Sequence, residues 1–201
     1  MTKSKHYAPL PRRKTGCTAH ALTESEYCWE HLKDRDAFVA SLDPHDLVDA
    51  WLAGVDLSGR DLRGANMVGA RLSGAKLARA DLRSADLRRT FLDGADLRGA
   101  NLDEANLEFA VLGGADVSEA SFNGANMQRS NLVGTRGRRA RFSKANLYYA
   151  RPGNADFQEA DFTGAHIERT IFRRAHLAGA CLARTVGAAN FENANLEGVK
   201  R

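Results

Sequence analysis

Cysteines, aromatic residues and long hydrophobic runs are all scarce in this sequence, and each scarcity excludes a class of protein. Three cysteines among 201 residues are too few for a disulfide framework and are typical of a reducing compartment. No stretch approaches the roughly 20 apolar residues that a membrane-spanning helix requires. The N-terminal segment 1–14 is basic and no apolar run follows it, so no signal peptide is expected. These features predict a cytoplasmic protein.

The low aromatic content also limits the kind of core that the chain can build. Aromatic side chains make up 7% of the residues, although 43% are hydrophobic, and much of that fraction is alanine. A core made of such residues must be narrow, because small side chains fill little volume. The net charge of +4 is modest and does not by itself indicate a nucleic-acid partner.

The dominant feature that is present is a repeat of five residues. Between residues 55 and 185, 27 positions spaced five apart hold 20 alanines, and all the others except Arg60 are serine, threonine or valine. Two residues after each small residue, 24 of 27 positions hold Leu, Met, Val, Phe or Ile, the exceptions being Gly137, Pro152 and Gly187. The residue between the small and the large one is often Asp or Asn, and glycine is frequent two places after the large one.

A period of five fits neither an α-helix nor a flat strand. A chain that turns a corner every five residues places all small and all large residues inside, and four such sides close a square coil. The 27 pentads make nearly seven coils, which at strand spacing form a rod roughly 33 Å long. Glycine near the corners supplies the backbone freedom that tight turns require.

The repeat Ala-(Asp/Asn)-Leu-X-X resembles that of the pentapeptide-repeat family over about residues 55–198. The resemblance implies an all-β solenoid, a right-handed quadrilateral β-helix. It does not imply one function, because fold and function are separable. The best-understood members resemble B-form DNA in shape and negative charge, bind DNA gyrase or topoisomerase IV, and protect it from quinolones or related toxins.

The repeat contains irregular positions. Gly137 and Pro152 stand where a large apolar residue is expected, which predicts local bulges or loops. After Leu182 the frame slips by one residue, so that Phe191 and Leu196 resume the pattern from a shifted start. We therefore predict a coil irregularity over 186–189.

The N-terminal part of the chain lacks the repeat. We divide the protein into a basic tail with a Cys/His segment over 1–33, a helical cap over 34–54 and the solenoid over 55–201. Apolar residues of the cap recur at mostly helical spacing, and Asp43-Pro44 is a good start for a second helix running to residue 53. A solenoid needs such a cap, because a bare end exposes core and unpaired strand edge. The C-terminal end has no comparable cap and is expected to be bare or covered by a second subunit in a homodimer.

Two Cys-X-X-His pairs, separated by seven residues, precede the cap. Cys17, His20, Cys28 and His31 provide two thiolates and two imidazoles, a complete tetrahedral set for structural Zn²⁺. A metal ion would let a short segment fold without a core of its own. The gap between the pairs is shorter than in the usual zinc fingers, so two free thiols and two surface histidines are the alternative.

Signatures of catalysis are absent from the sequence. It contains no nucleophile elbow, phosphate-binding loop or His-Glu-X-X-His motif. Cys181, His176 and His166 occupy the outward position of nearby pentads, but successive pentads face different directions, so these residues should not converge. The sequence predicts a protein that is not an enzyme and has no catalytic residues.

Charged residues fall in bands along the chain. The net charge is +5 over 60–90, −6 over 91–127 and +7 over 128–152. Because sequence order in a solenoid is order along its axis, we predict a basic, an acidic and a second basic belt, with ordinary solubility charge as the alternative. The partner-binding candidates in these belts are Asp93, Asp96, Asp103, Glu104, Glu108, Asp116, Glu119, Arg129, Arg136, Arg138, Arg139 and Arg141.

Apolar and aromatic residues are predicted to form columns, because every twentieth residue lies above its predecessor in a square coil. One face carries three apolar residues where Asp or Asn is usual, which suggests a contact stripe. The neighbouring face carries aromatic residues beside arginines, and Tyr and Arg are favoured at interfaces. Packing of the N-terminal segment on these faces is the alternative. The candidates are Phe91, Val111 and Ile171 on the first face and Phe109, Tyr148 and Tyr149 on the second.

The sequence is compatible with three functions. The first is an interaction scaffold that presents the solenoid surface to a macromolecular partner. The second, implied by the family resemblance, is binding and protection of DNA gyrase or topoisomerase IV, although residues 51–201 contain 22 basic and 17 acidic residues and DNA mimicry needs a long acidic face. The third is nucleic-acid binding through the arginine belt together with Tyr148 and Tyr149.

Overall fold

The structure, a computed structural model, describes residues 29–201. It begins with a short 3₁₀ helix, η1 (Trp29–His31), and one α-helix, α1 (Arg35–Ser41). The rest of the described chain is a solenoid built from turns and isolated parallel bridges. Within the described residues no helix is long and apolar enough to cross a membrane. Three of the four predicted zinc ligands, Cys17, His20 and Cys28, lie outside the described residues.

Each pentad consists of an extended side followed by a tight corner. At a typical corner the Ala65 amide donates a hydrogen bond of 3.1 Å to the Leu62 carbonyl, and Gly64 between them has φ of 63°. A positive φ at the third residue alone identifies a type II turn. The same conformation recurs at every fifth residue from Asp49 to Arg184. The period of five is therefore the length of one side plus one turn.

Successive coils are held in register by backbone hydrogen bonds. Parallel bridges join every twentieth residue, as between Phe91 and Val111. The Phe91 amide donates to the Ala70 carbonyl of one neighbouring coil at 2.9 Å, and the Leu92 amide donates to the Val111 carbonyl of the other at 2.7 Å. Four pentads thus make one coil, which confirms the predicted four-sided solenoid.

The core consists of columns of identical positions. The alanines of the small position and the large residues two places later are buried almost without exception. Phe122, Phe142 and Phe162 form one such column, with ring centroids 5.0 and 4.8 Å apart and nearly parallel planes. This arrangement confirms the narrow core of small residues beside stacked Leu and Phe columns.

We number the sides 1 to 4 in chain order, and the outward positions define them. Side 1 carries Trp51, Arg71, Phe91, Val111, Asn131, Arg151 and Ile171. The bridged outward positions of the other sides begin at Asp56 on side 2, Asp61 on side 3 and Asn66 on side 4. The two residues after each large residue form the corner to the next side.

Gly137 causes no bulge, so the bulge prediction is wrong at this position. The Gly137 amide keeps its ladder bond to the Asp156 carbonyl at 2.7 Å. A Cβ atom at Gly137 would lie only 2.3 Å from Cε1 of Phe157. The Phe157 ring of the adjacent coil occupies the space that a leucine at residue 137 would fill.

Pro152 likewise leaves the coil in register, so the predicted loop is wrong here too. Proline has no amide hydrogen, and the bridge that would join Arg151 to Ile171 is missing from the otherwise regular column. The Ile171 amide still donates to the Ala150 carbonyl at 3.0 Å. One lost hydrogen bond is tolerated because the neighbouring bonds of the ladder hold both coils.

The frame slip near the end of the chain is confirmed. His166 bridges to Val186 at the regular interval, whereas the bridge from Ile171 goes to Asn190, one residue short of that interval. Gly187 lies at the shortened corner with φ of 92°, and a Cβ atom there would lie 2.6 Å from Cβ of Glu168. Glycine is required at this point because the corner passes directly against the preceding coil.

The predicted helix over 44–53 is wrong, and this segment instead forms the first sides of the solenoid. The Leu47 amide donates to the Asn66 carbonyl at 3.0 Å, and the Asp49 amide to the Val68 carbonyl at 2.8 Å. Leu47 and Leu52 of this segment are buried inward residues of the five-residue pattern, whereas Val48 lies at a corner and Trp51 points outward. The coil therefore starts before residue 55, the predicted boundary.

Helix α1 covers the open end of the first coil. Val39 is buried, and Phe38 and Leu42 pack against the core. Arg60, the one charged residue in a small position, donates from its guanidinium to the Val39 carbonyl at 3.3 Å. This residue departs from the repeat because it lies under the cap and binds it. At the opposite end, Phe191 is only partly buried, and the homodimer stays a prediction.

Candidate interaction surface

The four sides of the solenoid differ in chemistry, and sides 1 and 4 carry the aromatic groups. We call side 1, side 4 and the corner that joins them the aromatic–arginine surface. All the aromatic partner-binding candidates predicted from the sequence lie on it. The two remaining sides are polar and rich in ion pairs.

The corner between sides 4 and 1 alternates arginine with aromatic residues. Arg89, Phe109, Arg129, Tyr149 and Arg169 follow one another in successive coils, each with φ between 56° and 60°. The Arg129 guanidinium lies 5.4 Å from the Phe109 ring centroid, and that of Arg169 lies 5.1 Å from the Tyr149 ring. These distances are within the range of cation–π attraction. Arg169 also donates a hydrogen bond to the Tyr149 hydroxyl, which raises the pKa of the guanidinium above its usual value.

A second alternating column lies on side 1. The Arg71 guanidinium is sandwiched between two rings, 4.7 Å from the Trp51 ring centroid and 4.8 Å from the Phe91 ring centroid. Val111 lies directly above Phe91 in the same column. Because the two rings hold Arg71 from both sides, its planar group is fixed before any partner binds.

Side 4 adds a cluster of rings next to the corner column. The Tyr148 ring packs edge-on against Tyr149, with centroids 4.6 Å apart, and lies over the His166 ring at 5.7 Å. Both tyrosines are half-buried. The cluster extends the corner column sideways into a wider ring-covered area.

The exposed apolar side chains are concentrated in the same region. The large hydrophobic residues exposed in the described chain are Phe109 (40%), Val133 (39%), Ile171 (37%) and Val186 (60%). Phe109, Ile171 and Val186 lie on the aromatic–arginine surface, and Val133 borders it at the far corner of side 1. Sides 2 and 3 carry none of these four.

Sides 2 and 3, by contrast, are covered by ion pairs. In the motif Asp-Leu-Arg the two charged residues flank an inward leucine, so the arginine folds back onto the carboxylate, at 2.6 Å for Arg63 and Asp61. Hydrogen bonding from the Arg63 side chain is the largest cause that lowers the pKa of Asp61, to about 2. The same motif recurs at Arg83. Of the salt bridges between described residues, only that of Arg88 with Asp86 involves side 4.

The residues of the acidic belt do not form one face. Asp96 pairs with Arg98 at 2.7 Å and Asp116 with Arg136 at 3.3 Å. Asp103 accepts bonds from neighbouring side chains and backbone and points along side 3. The belt encircles the rod, with Asp93 after side 1, Asp96, Asp116 and Glu119 on or after side 2, Asp103 and Glu104 after side 3, and Glu108 after side 4.

The arginine belt is divided in the same way. Arg139 pairs with Glu159 at 2.9 Å, and Arg138 lies 3.8 Å from the same carboxylate. Arg136 and these two lie on or after side 2, and Arg141 lies on side 3. Arg129 lies across the rod over Phe109. The predicted belt therefore does not act as one contiguous cationic patch.

Cys181, His176 and His166 do not converge. They occupy the outward positions of sides 3, 2 and 4, respectively. The Cys181 sulfur lies 3.3 Å from the Thr163 hydroxyl, and the His176 ring faces Asp156 at 3.7 Å. Within residues 29–201, no group of three or more His, Cys, Asp or Glu side chains is arranged to hold a metal ion.

Sequence reasoning missed two members of the surface. Trp51 and Arg71 extend the Phe91 column, but the helix predicted over 44–53 gives Trp51 no place on a side. The sequence does contain a signal for this column, because residues 51, 71 and 91 are spaced by the 20 residues of one coil. Extending the period of five to the start of the first coil would have revealed the Trp–Arg–Phe sandwich.

Comparison with solved structures finds similar chains. The chain is similar to a trypsin-treated form of QnrB1, a plasmid-mediated fluoroquinolone resistance protein, with 23% identity, a TM-score of 0.61, and coverage of 79% of this chain and 85% of that one. It is also similar to HetL, a protein involved in heterocyst differentiation regulation in Nostoc sp. strain PCC 7120, with 24% identity, a TM-score of 0.35, and coverage of 81% and 91%. A comparison with curated proteins finds no match.

The repeat itself identifies the family. Eight copies of the pentapeptide repeat match within residues 46–77, 80–118, 100–136, 120–151 and 153–186. Proteins built from this repeat fold as right-handed β-helices, in agreement with the coil observed here. The chain therefore belongs to the pentapeptide-repeat family.

Proposed function

We propose that this protein is a non-enzymatic scaffold that binds a macromolecular partner through the aromatic–arginine surface. The observation that carries the proposal is the asymmetry of the rod. Exposed apolar groups and stacked arginines occupy sides 1 and 4, whereas nearly all the salt bridges of the described chain lie on and after sides 2 and 3. A surface needed only for solubility has no reason to separate these groups.

The physical properties of this surface suit binding. Aromatic residues and arginine supply most of the free energy at many interfaces. Arg71 and Arg129 are already stacked on rings, so ordering them on association costs less conformational entropy than ordering a free arginine. The backbone beneath them is a rigid ladder, which places the side chains at fixed intervals.

The two alternative functions have weaker support. DNA mimicry requires a continuous acidic face, but the acidic belt encircles the rod and Asp96 and Asp116 are paired with arginines. Nucleic-acid binding through the arginine belt requires unpaired arginines on one face, but Arg138 and Arg139 contact Glu159. The likeness to QnrB1 is one of fold, and binding of gyrase or topoisomerase IV is tested by the same experiment as the main proposal.

The test is an affinity capture from native cytosol, with and without nuclease. Ile171→Asp introduces one negative charge into the proposed surface. Asn101→Asp introduces the same charge at the equivalent outward position of side 3 and is the control. We expect a defined protein to be captured by the wild type and by the control, and lost with Ile171→Asp. Equal capture by all three proteins would contradict the proposal, and loss of every partner on nuclease treatment would favour nucleic acid.

We also propose that the Cys17, His20, Cys28 and His31 set binds structural Zn²⁺. The donor set suits zinc chemically, and His31 belongs to η1, whose Trp29 packs against the core next to α1. A metal ion held there would fix the tail to the cap. Metal analysis of purified protein should find about one zinc per chain, reduced by Cys17→Ser and Cys28→Ser but not by Cys181→Ser. Protein without stoichiometric metal would refute the site.

A further inference from the structure

The arginines of the corner column are regularly spaced. Arg89, Arg129 and Arg169 occupy the same corner in every second coil. All three side chains are exposed, and none forms a salt bridge with another described residue. At strand spacing, the column therefore presents cationic groups at intervals of two coils, or about 10 Å along the axis.

Apolar groups fill the intervals between these arginines. Phe109 lies between Arg89 and Arg129, and Tyr149 lies between Arg129 and Arg169. Ile171 and Val111 continue the apolar surface onto side 1. A partner that matches this column must carry acidic groups at the same interval as the arginines, with apolar groups beside them.

The surface around the upper part of the column is cationic overall. Arg151 lies on side 1, in the coil between those of Arg129 and Arg169. That corner also carries two acidic residues, Glu108 beside Phe109 and Glu168, which accepts a hydrogen bond of 2.8 Å from the Ala188 amide, so the arginines outnumber the carboxylates. Charge complementarity thus requires a negatively charged partner.

The spacing selects among negatively charged partners. On an α-helix, residues seven apart lie on one face and are about 10.5 Å apart along the axis. On a strand, residues of one face recur at about 6.7 Å or about 13 Å, which does not match the arginine interval. Nucleic acids offer phosphates but no side chains to pack on Ile171 and Val111. An acidic amphipathic helix is the partner that satisfies both the charge and the spacing.

We infer that the aromatic–arginine surface binds an acidic amphipathic helix of a protein partner, laid along the corner between sides 4 and 1. Carboxylates at every seventh position of that helix bind Arg129 and Arg169 in turn, and the apolar residues between them pack on Phe109 and Tyr149. This inference rests on the proposed function and specifies its partner.

The experiment uses the full chain and a fluorescent helical peptide of about 22 residues. The peptide carries glutamates at every seventh position with leucines on the same face. A scrambled peptide of the same composition and an oligothymidylate, each fluorescently labelled, serve as comparison probes. Fluorescence anisotropy measures the affinity of each probe for the wild type, for Arg129→Glu/Arg169→Glu and for a control variant.

The control variant is Arg79→Glu/Arg184→Glu. These two arginines occupy the same exposed corner position, with φ of 59° and 57°, at the corners after sides 2 and 3. The charge change and the local backbone are therefore matched. Circular dichroism and thermal unfolding establish that both variants fold like the wild type.

We expect the wild type and the control variant to bind the patterned peptide at least about tenfold more tightly than the scrambled one, and Arg129→Glu/Arg169→Glu to lose about tenfold or more. Equal binding of both peptides, no binding up to about 1 mM, or binding unaffected by the corner substitutions would overturn the inference. Tight binding of the oligothymidylate alone, lost with the corner substitutions, would replace the helix with a single-stranded nucleic acid.

The outcomes also separate this inference from the function on which it rests. If Ile171→Asp abolishes capture of a protein partner but Arg129→Glu/Arg169→Glu leaves that capture intact, the scaffold function stands and the acidic helix is wrong. If both variants capture the same partner as the wild type, both proposals fail.

Discussion

The contact between Gly137 and Phe157 provides a sharp test of how this core is packed. A methyl group at residue 137 would lie 2.3 and 2.5 Å from two ring carbons of Phe157 and 3.1 Å from Cγ2 of Val117. The ring cannot move away freely, because it packs edge-on against Phe142 at 5.3 Å and Phe162 at 5.6 Å. Gly137→Ala should therefore overpack the core and destabilise the fold by about 1–3 kcal/mol.

The cause of this destabilisation can be isolated with a double-mutant cycle. Phe157→Leu should itself cost roughly 1–2 kcal/mol, because it removes ring contacts and leaves space. In that background the space beside residue 137 is free, so Gly137→Ala should cost little. We expect a coupling free energy of about 1 kcal/mol or more between the two substitutions.

Urea unfolding followed by circular dichroism measures each variant, with an unchanged denaturant slope as the condition for comparison. Gly113→Ala is the control, because a Cβ atom there lies at an ordinary 3.6 Å from the Val133 carbonyl and should change stability by less than about 0.5 kcal/mol. A neutral Gly137→Ala, or additive effects in the cycle, would refute the idea that Phe157 occupies the missing leucine's space.

Three further predictions concern the corners, the ion pairs and the cap. Gly114 has φ of 66° with nothing near its Cβ position, so Gly114→Ala should cost about 1 kcal/mol from backbone strain alone, whereas the neighbouring Gly113→Ala should not. The pKa of Asp61 is lowered to about 2 by Arg63, so the contribution of the ionised carboxylate to folding stability is present above pH 4 and is lost as the pH falls towards 2. The wild type should lose stability between pH 4 and 2, and Asp61→Asn should lose less. Arg60→Ala removes the bond to the Val39 carbonyl and should destabilise the cap by about 0.5–1.5 kcal/mol, seen as faster amide exchange in α1.

Each of these has an outcome that would contradict it. Equal unfolding midpoints for the two alanine variants would show that the corners tolerate any residue without strain. A stability profile that is flat between pH 4 and 2 would mean that solvent screens the Asp-Leu-Arg pairs completely. Unchanged exchange in α1 after Arg60→Ala would mean that the apolar contacts of Val39 alone hold the cap.

Much of the fold follows from local rules that the sequence displays directly. The five-residue period sets side and turn, and the alternation of small and large inward residues sets the core. The register between coils follows because four equal sides close a coil. Even the frame slip could be predicted, since deleting one residue shifts all later positions by one. These features are repetitive, so each pentad confirms the interpretation of the next.

Other features depended on contacts between coils. The sequence predicted a bulge at Gly137 because it shows only that a large side chain is missing, whereas the Phe157 ring from the next coil fills the space. Segment 44–53 suggested a helix because its apolar residues fit two periods, and the bonds from Leu47 and Asp49 to the next coil select one of them. Hydrogen bonding across coils thus decided between local alternatives.

The candidate site shows the same division most clearly. The sequence determined which residues are outward, and it placed Phe91, Val111 and Ile171 in one column. It suggested charge belts ordered along the axis, but charges in successive pentads lie on different sides of the rod. Only the tertiary structure showed that Arg98 is neutralised by Asp96 while Arg129 and Arg169 are stacked on aromatic rings. In a solenoid the closest neighbours of a side chain lie two positions along the chain or one full coil away. Whether a charged side chain is paired or free to bind therefore depends on these contacts, which a count of charges along the sequence does not show.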